Sequence, residues 1–139
     1  MRKILVVEDS ALHQKMYDVM LALYRNNGAE ILHASNGMEG LALLIDNPDT
    51  DLVILDINMP VMSGLEFLRR MKEEEAFRNL PVIICSTEGK DEDILRGLQK
   101  GAQGYIKKPF KAEDLIAMVE RIVGKKSFAW KAGMECQRP

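Results

Sequence analysis

Four groups of reactive side chains follow short apolar runs. The acids Glu8 and Asp9 come after "ILVV" (4–7), and Asp56 comes after "LVIL" (52–55). The hydroxyls of Ser86 and Thr87 follow "PVIIC" (81–85), and Lys108 lies just past "GYI" (104–106). Three carboxylates brought together repel, and at ~4 Å each pair costs about 4 kcal/mol at an effective dielectric near 20. One lysine cannot offset three negative charges, whereas a divalent cation can. An all-oxygen ligand set, with no cluster of His or Cys nearby, favours Mg²⁺ over zinc. Magnesium binds few protein groups, keeps several waters and commonly takes a phosphate oxygen. A metal, a carboxylate, a hydroxyl and a lysine around one cavity describe a phosphoryl-transfer site. In that site Asp56 is the group that receives the phosphoryl. This also explains why a run that reads as a buried strand ends on a charge, since an unpaired buried carboxylate is expensive.

These residues meet only if the apolar runs are neighbouring strands. Five runs recur: 4–7, 30–34, 52–55, 81–85 and 104–106. The first, third and fourth are continuously apolar, as strands buried on both faces of a parallel sheet are. Helical patterns separate them. Leu12, Met16, Val19 and Leu23 fall on one helix face. Asn36 with Glu39 and Ser63 with Glu66 have capping-box spacing, ahead of Leu41/Leu44/Ile45 and Leu65/Leu68. Ile94, Leu95 and Leu98 precede a stop at Gly101. Leu115, Met118, Val119 and Ile122 form a last apolar face, with Glu113 and Asp114 at its start and Lys125 and Lys126 at its end, which suits the helix dipole. Strand–helix alternation of this kind predicts an α/β fold, a doubly wound five-stranded parallel sheet. In the flavodoxin-like order 2-1-3-4-5, strands 1 and 3 are adjacent and the site lies beyond their carboxyl ends.

Composition narrows the function classes. The chain of 139 residues points to one domain, with 47% hydrophobic and 29% charged residues. The charge of 19 − 21 = −2 gives no basic surface for non-specific nucleic-acid binding. No apolar run approaches a membrane span of about 20 residues. The apolar run in "MRKILVVEDS" stops at Val7 and acids follow, which is not a signal peptide. Cys85 and Cys136 show no metal spacing and predict no structural disulfide. The expected location is the cytoplasm. The sequence predicts no internal repeat and no second domain within these residues.

Taken in order, "VVEDS" (6–10), "LDINMPVMSG" (55–64), "CSTEG" (85–89) and "GYIKKPF" (104–110) resemble the receiver domain of two-component response regulators. The resemblance runs from residue 2 to about 124, which implies a receiver at 1–124 of the CheY-like variety of the fold and a tail or truncated linker at 125–139. It implies that Asp56 is the phosphoacceptor, charged by a histidine kinase or histidine phosphotransfer protein. Glu8, Asp9, Asp56 and the Asn58 main-chain carbonyl match the Mg²⁺ ligands. Lys108 matches the lysine that pairs with phosphoryl oxygens. Ser86 and Tyr105 match the switch hydroxyl and switch aromatic, and Asn58 and Glu88 the rate-tuning positions. That pairing resembles chemotaxis-type receivers and implies moderate-to-fast loss of the phosphoryl group. A cis Lys108–Pro109 peptide is implied as well. So is an output face made of the helix after the fourth strand, the fifth strand and the last helix. It would serve a downstream protein or a fused output domain, in a monomer or a phosphorylation-dependent dimer. Such a protein is a signalling switch and not an enzyme.

Two other classes compete with this reading. One is an Mg²⁺-dependent aspartate-nucleophile phosphatase, whose motif needs a second Asp where Asn58 stands. The other is a degenerate receiver acting only as a binding module. His13, Gln14 and Tyr17 on the first helix are candidate phosphodonor contacts. Met16, Met20, Met71 and Met118 read as gap-fillers in the core. The tail carries Phe128 and Trp130 without helical periodicity.

Overall fold

Val, Ile and Leu cluster in the segments that pair. The computed structural model describes residues 1–56, 64–86, 97, 99 and 101–124. Five strands, β1 (Lys3–Val7), β2 (Glu30–Ala34), β3 (Leu52–Asp56), β4 (Val82–Ser86) and β5 (Gly104–Lys107), form one sheet in the order β2-β1-β3-β4-β5. Every pairing is parallel. β3 and β4 are buried along their whole length, as their unbroken apolar runs predict. The expected α/β sheet and strand order are those observed.

Alternate strand residues feed opposite faces. Leu5, Val7, Val53, Leu55 and Ile84 pack against Leu44, Phe67, Leu68 and Met71. These come from α3 (Gly37–Asp46) and α4 (Gly64–Glu73). Ile4, Val6, Ile54, Ile83 and Cys85 pack on the other side against Tyr17, Tyr24, Leu115 and Val119. Those belong to α1 (Ala11–Met20), α2 (Ala22–Asn26) and α5 (Ala112–Val123). α3 lies close to the sheet because Gly40 has no side chain: a Cβ there would meet Phe67 Cε1 at 2.8 Å and Val7 Cγ2 at 3.2 Å. Asn36 caps α3 by accepting from the Glu39 amide at 3.0 Å. Gly101 has φ 107°, the left-handed conformation expected of a helix stop. The Lys108–Pro109 peptide is cis, as expected.

The first helix departs from its periodicity. Leu12, Met16, Val19 and Leu23 are 68%, 43%, 76% and 47% exposed, so this stripe faces away from the core. Tyr17, Leu21 and Tyr24, spaced i, i+4, i+7, are buried instead. The helix is also broken at Leu21 (φ −99°, ψ 13°), which separates α1 from α2. Period alone cannot say which of two interleaved stripes faces the sheet, and the larger aromatic rings take the inner one. Of the methionines expected in the core, Met71 is fully buried, Met20 and Met118 pack at its margin, and Met16 is exposed. Ile45, expected on the inner face of α3, is 70% exposed, while Leu44 is buried. Val19→Ser is therefore expected to change unfolding free energy by less than about 0.5 kcal/mol in a urea titration. A core position would lose several times that.

Ser63, Thr87, Ile94, Leu95, Leu98, Lys125, Lys126, Phe128, Trp130 and Cys136 lie outside the described residues, as do Asn58 and Glu88. No helix among the described residues is long and apolar enough to cross a membrane.

Candidate functional site

Parallel strands carry their carboxyl ends to one rim, and the sheet order makes β1, β3 and β4 neighbours there. The Glu8 amide donates to Ala34 O at 2.9 Å, extending the β1–β2 pairing and holding the acidic pair at the strand end. Asp56 is the last residue of β3, and Cys85, its register partner on β4, is followed directly by Ser86. The Lys108 amide donates to Ser86 O at 3.0 Å, which fixes the end of β5 beside β4.

The side chains converge. Glu8, Asp9 and Asp56 each place a carboxylate oxygen within 4.8 Å of the others. Glu8 and Asp56 are buried and Asp9 is exposed. The Lys108 ammonium lies 3.0 Å from Glu8 Oε2 and 3.8 Å from Asp56 Oδ2. Ser86 is fully buried at the same rim. Tyr105 is partly buried on β5 and packs against the core cluster on the α3–α4 side of the sheet.

Burial is the largest influence on Glu8 and raises its pKa. The Lys108 hydrogen bond and charge, the Ser10 amide and the Asp56 side chain outweigh it, and the carboxyl sits below its ordinary value of 4.5. Burial pushes the Cys85 thiol up to about 12, so it is a neutral packing group. Three close carboxylates with one ammonium leave excess negative charge in a half-buried place. An oxygen-only cluster of this kind fits a hard cation such as Mg²⁺.

Sequence reasoning left unassigned the groups that hold Glu8. Ser10 caps α1 by accepting from the His13 amide at 3.3 Å, and its own amide donates to Glu8 Oε1 at 3.2 Å. His13 Nδ1 lies 3.3 Å from Glu8 Oε1, and Gln14 Nε2 donates to Glu8 O at 2.7 Å. A residue five or six positions past an acid is within reach once a turn and a helix start intervene. The Ser10 cap was the available signal for this. Tyr17 is only 3% exposed, so it is not the open surface contact expected from its place on the first helix. Its ring lines a mainly apolar cleft of about 220 Å³ with His13, Met16, Met20, Pro109 and Phe110.

Comparison with known proteins agrees with this geometry. The family model described as response regulator receiver domain matches residues 4–120. A chemotaxis protein CheY homolog of Campylobacter jejuni is 34% identical over 122 residues, covering 88% of this chain and 92% of that protein. The structure of Vibrio cholerae chemotaxis protein CheY4 superposes with a TM-score of 0.79 at 33% identity, covering 88% of this chain and 98% of that one. The receiver domain of the sensor histidine kinase PA1611 from Pseudomonas aeruginosa, solved with a magnesium ion coordinated in its active-site cleft, gives 0.77 at 26% identity. It covers 88% of this chain and 97% of that one.

Proposed function

Because this chain belongs to the response regulator receiver domain family, we propose that it is a phosphorylation-driven switch whose phosphoacceptor is Asp56. The family is generally a signalling module and not a catalyst. One observation carries the reading: Asp56 ends the central strand with Lys108 at 3.8 Å and two further carboxylates beside it.

An Asp56 carboxylate oxygen attacks the phosphorus of a phosphohistidine on a histidine kinase or phosphotransfer protein. The P–O bond forms as the P–N bond breaks, and the imidazole leaves. Lys108 is placed to pair with the transferred oxygens. A magnesium ion held by Glu8, Asp9, Asp56 and the Asn58 main-chain carbonyl would neutralise the charge on those oxygens. The Ser86 hydroxyl then binds the phosphoryl group, and Tyr105 turns into the space it vacates. The face built from the helix after β4, β5 itself and α5 favours its active arrangement and takes a different partner. That partner is a downstream protein or a fused output domain. Phosphorylation biases an equilibrium that already exists. Asn58 and Glu88 tune the lifetime of the phosphoryl group, which is moderate to short. Residues 1–124 act as the receiver and 125–139 as a tail or linker, in the cytoplasm.

Intact-mass spectrometry tests this directly. Incubated with Mg²⁺ and acetyl phosphate, the protein should gain one phosphoryl group, and a chelator should abolish the gain. Absence of any adduct would overturn the switch reading and favour a phosphorylation-independent binding module. Asp9→Ala should weaken Mg²⁺ affinity by roughly tenfold or more, since even outer-shell partners are worth 10- to 100-fold. Isothermal titration with MgCl₂ measures this, and unchanged affinity would remove Asp9 from the ligand set.

A further inference from the structure

Glu8 is buried, and its two carboxylate oxygens meet different elements. Oε2 takes the Lys108 ammonium at 3.0 Å, and the same ammonium lies 3.8 Å from Asp56 Oδ2. Oε2 is therefore the oxygen on the Asp56 side of the site. Oε1 meets the start of α1, where the Ser10 amide donates at 3.2 Å and His13 Nδ1 lies at 3.3 Å. An ionised carboxylate only accepts, so His13 Nδ1 carries a proton and donates it to this bond.

α1 sets the place of this donor. Ser10 Oγ accepts from the His13 amide at 3.3 Å, which fixes the first turn of the helix. Gln14 Nε2 donates to the Glu8 carbonyl at 2.7 Å and ties that turn back to the end of β1. The His13 side chain is 38% exposed, so a substitution there opens no cavity in the core. In the proposed transfer Lys108 turns to the phosphoryl oxygens on Asp56. The anchors on Oε1 then keep Glu8 in place.

We propose that His13 is a positioning residue for the metal site: with the Ser10 amide it holds Glu8 Oε1 on α1, which leaves Oε2 on the Asp56 side and available to Mg²⁺. This rests on the receiver reading and its Mg²⁺ ligand set. A glutamate side chain loses rotamer freedom when it is fixed at an ion, and one already held in place loses less. His13 thus serves the site itself, and not only the partner surface expected from its place on the first helix.

Isothermal titration with MgCl₂ compares wild type, His13→Leu and His13→Asn. Leucine and asparagine have nearly the same shape, but only the asparagine amide nitrogen can stand in for Nδ1 as a donor. His13→Leu should weaken Mg²⁺ binding by roughly tenfold, the scale of other partners of metal ligands. His13→Asn should stay within about threefold of wild type. The urea midpoint in chelator is measured beside each titration. A residue with a purely structural role would move that midpoint and leave the Mg²⁺ affinity of the folded protein unchanged. Unchanged affinity in His13→Leu, or an equal loss in His13→Asn, would overturn the proposal. Either result leaves the receiver reading intact, because the acetyl phosphate adduct tests that separately. If the wild-type protein takes up no Mg²⁺, the ligand set fails and this inference fails with it.

Discussion

Asp56→Ala should acquire no phosphoryl group from acetyl phosphate under conditions in which the wild-type protein is expected to gain one per chain. The expected loss is complete, because on the proposed reading the substitution removes the nucleophile itself and not a group that assists it. Stability separates this result from a folding defect. Glu8, Asp9 and Asp56 crowd three carboxylate oxygens within 4.8 Å of one another. Deleting Asp56 relieves like-charge repulsion with Glu8 and Asp9 but also removes the attraction to Lys108 at 3.8 Å, so the metal-free variant should be more stable than wild type by a net amount on the order of 1 kcal/mol. A urea titration in chelator gives that number, and intact mass gives the adduct. A well-folded Asp56→Ala protein that still carries label would show that another residue accepts the phosphoryl group.

Lys108→Ala is expected to have the other large effect, and one whose size falls as pH falls. The Lys108 ammonium lies 3.0 Å from Glu8 Oε2, and the Glu8 side chain is only 2% exposed. Removing one partner of a buried pair leaves an uncompensated charge, which costs about 3 kcal/mol near neutral pH. In wild type, Glu8 sits below its ordinary value of 4.5 because Lys108 and its other hydrogen-bond partners outweigh burial. The folded state therefore holds the proton less tightly than the unfolded state. Glu8 contributes stability that is present above 4.5 and is lost as pH falls through the lower folded value. Without Lys108, burial dominates and the folded pKa rises above the unfolded one. Ionised Glu8 then destabilises the variant at neutral pH, and acidification to roughly pH 4 returns part of the loss. The difference in unfolding free energy between wild type and Lys108→Ala, measured in chelator, should shrink as pH falls from about 7 to about 4. A pH-independent difference would mean that Lys108 and Glu8 do not interact in solution. Phosphoryl transfer should also slow sharply in this variant, since Lys108 is the cation placed beside Asp56.

The strand ends were legible because the signal there is doubly redundant. Val and Ile runs mark buried parallel strands, and charged or hydroxyl residues at their carboxyl ends have no structural reason to be there. Glu8, Asp9, Asp56, Ser86 and Lys108 could therefore be named before any coordinates, and the sheet brings them to one rim. The first helix was misread for an equally physical reason. Leu12, Met16, Val19 and Leu23 give a clean apolar period, yet Tyr17, Leu21 and Tyr24 form a second stripe beside it. Only the sheet surface chooses between them, and it accepts the aromatic stripe. The support of Glu8 by Ser10, His13 and Gln14 was also hidden, because it depends on where a helix begins relative to a strand end.

Sequence by itself determined the order of elements, the parallel sheet and the identity of the charged rim, since each follows from local periodicity and residue type. Tertiary structure alone decided which face of α1 is buried, how Lys108 divides its charge between Glu8 and Asp56, and that the Tyr17 ring packs on Phe110. These are contacts between residues tens of positions apart. Their energies depend on distance and burial, and neither exists until the chain has packed.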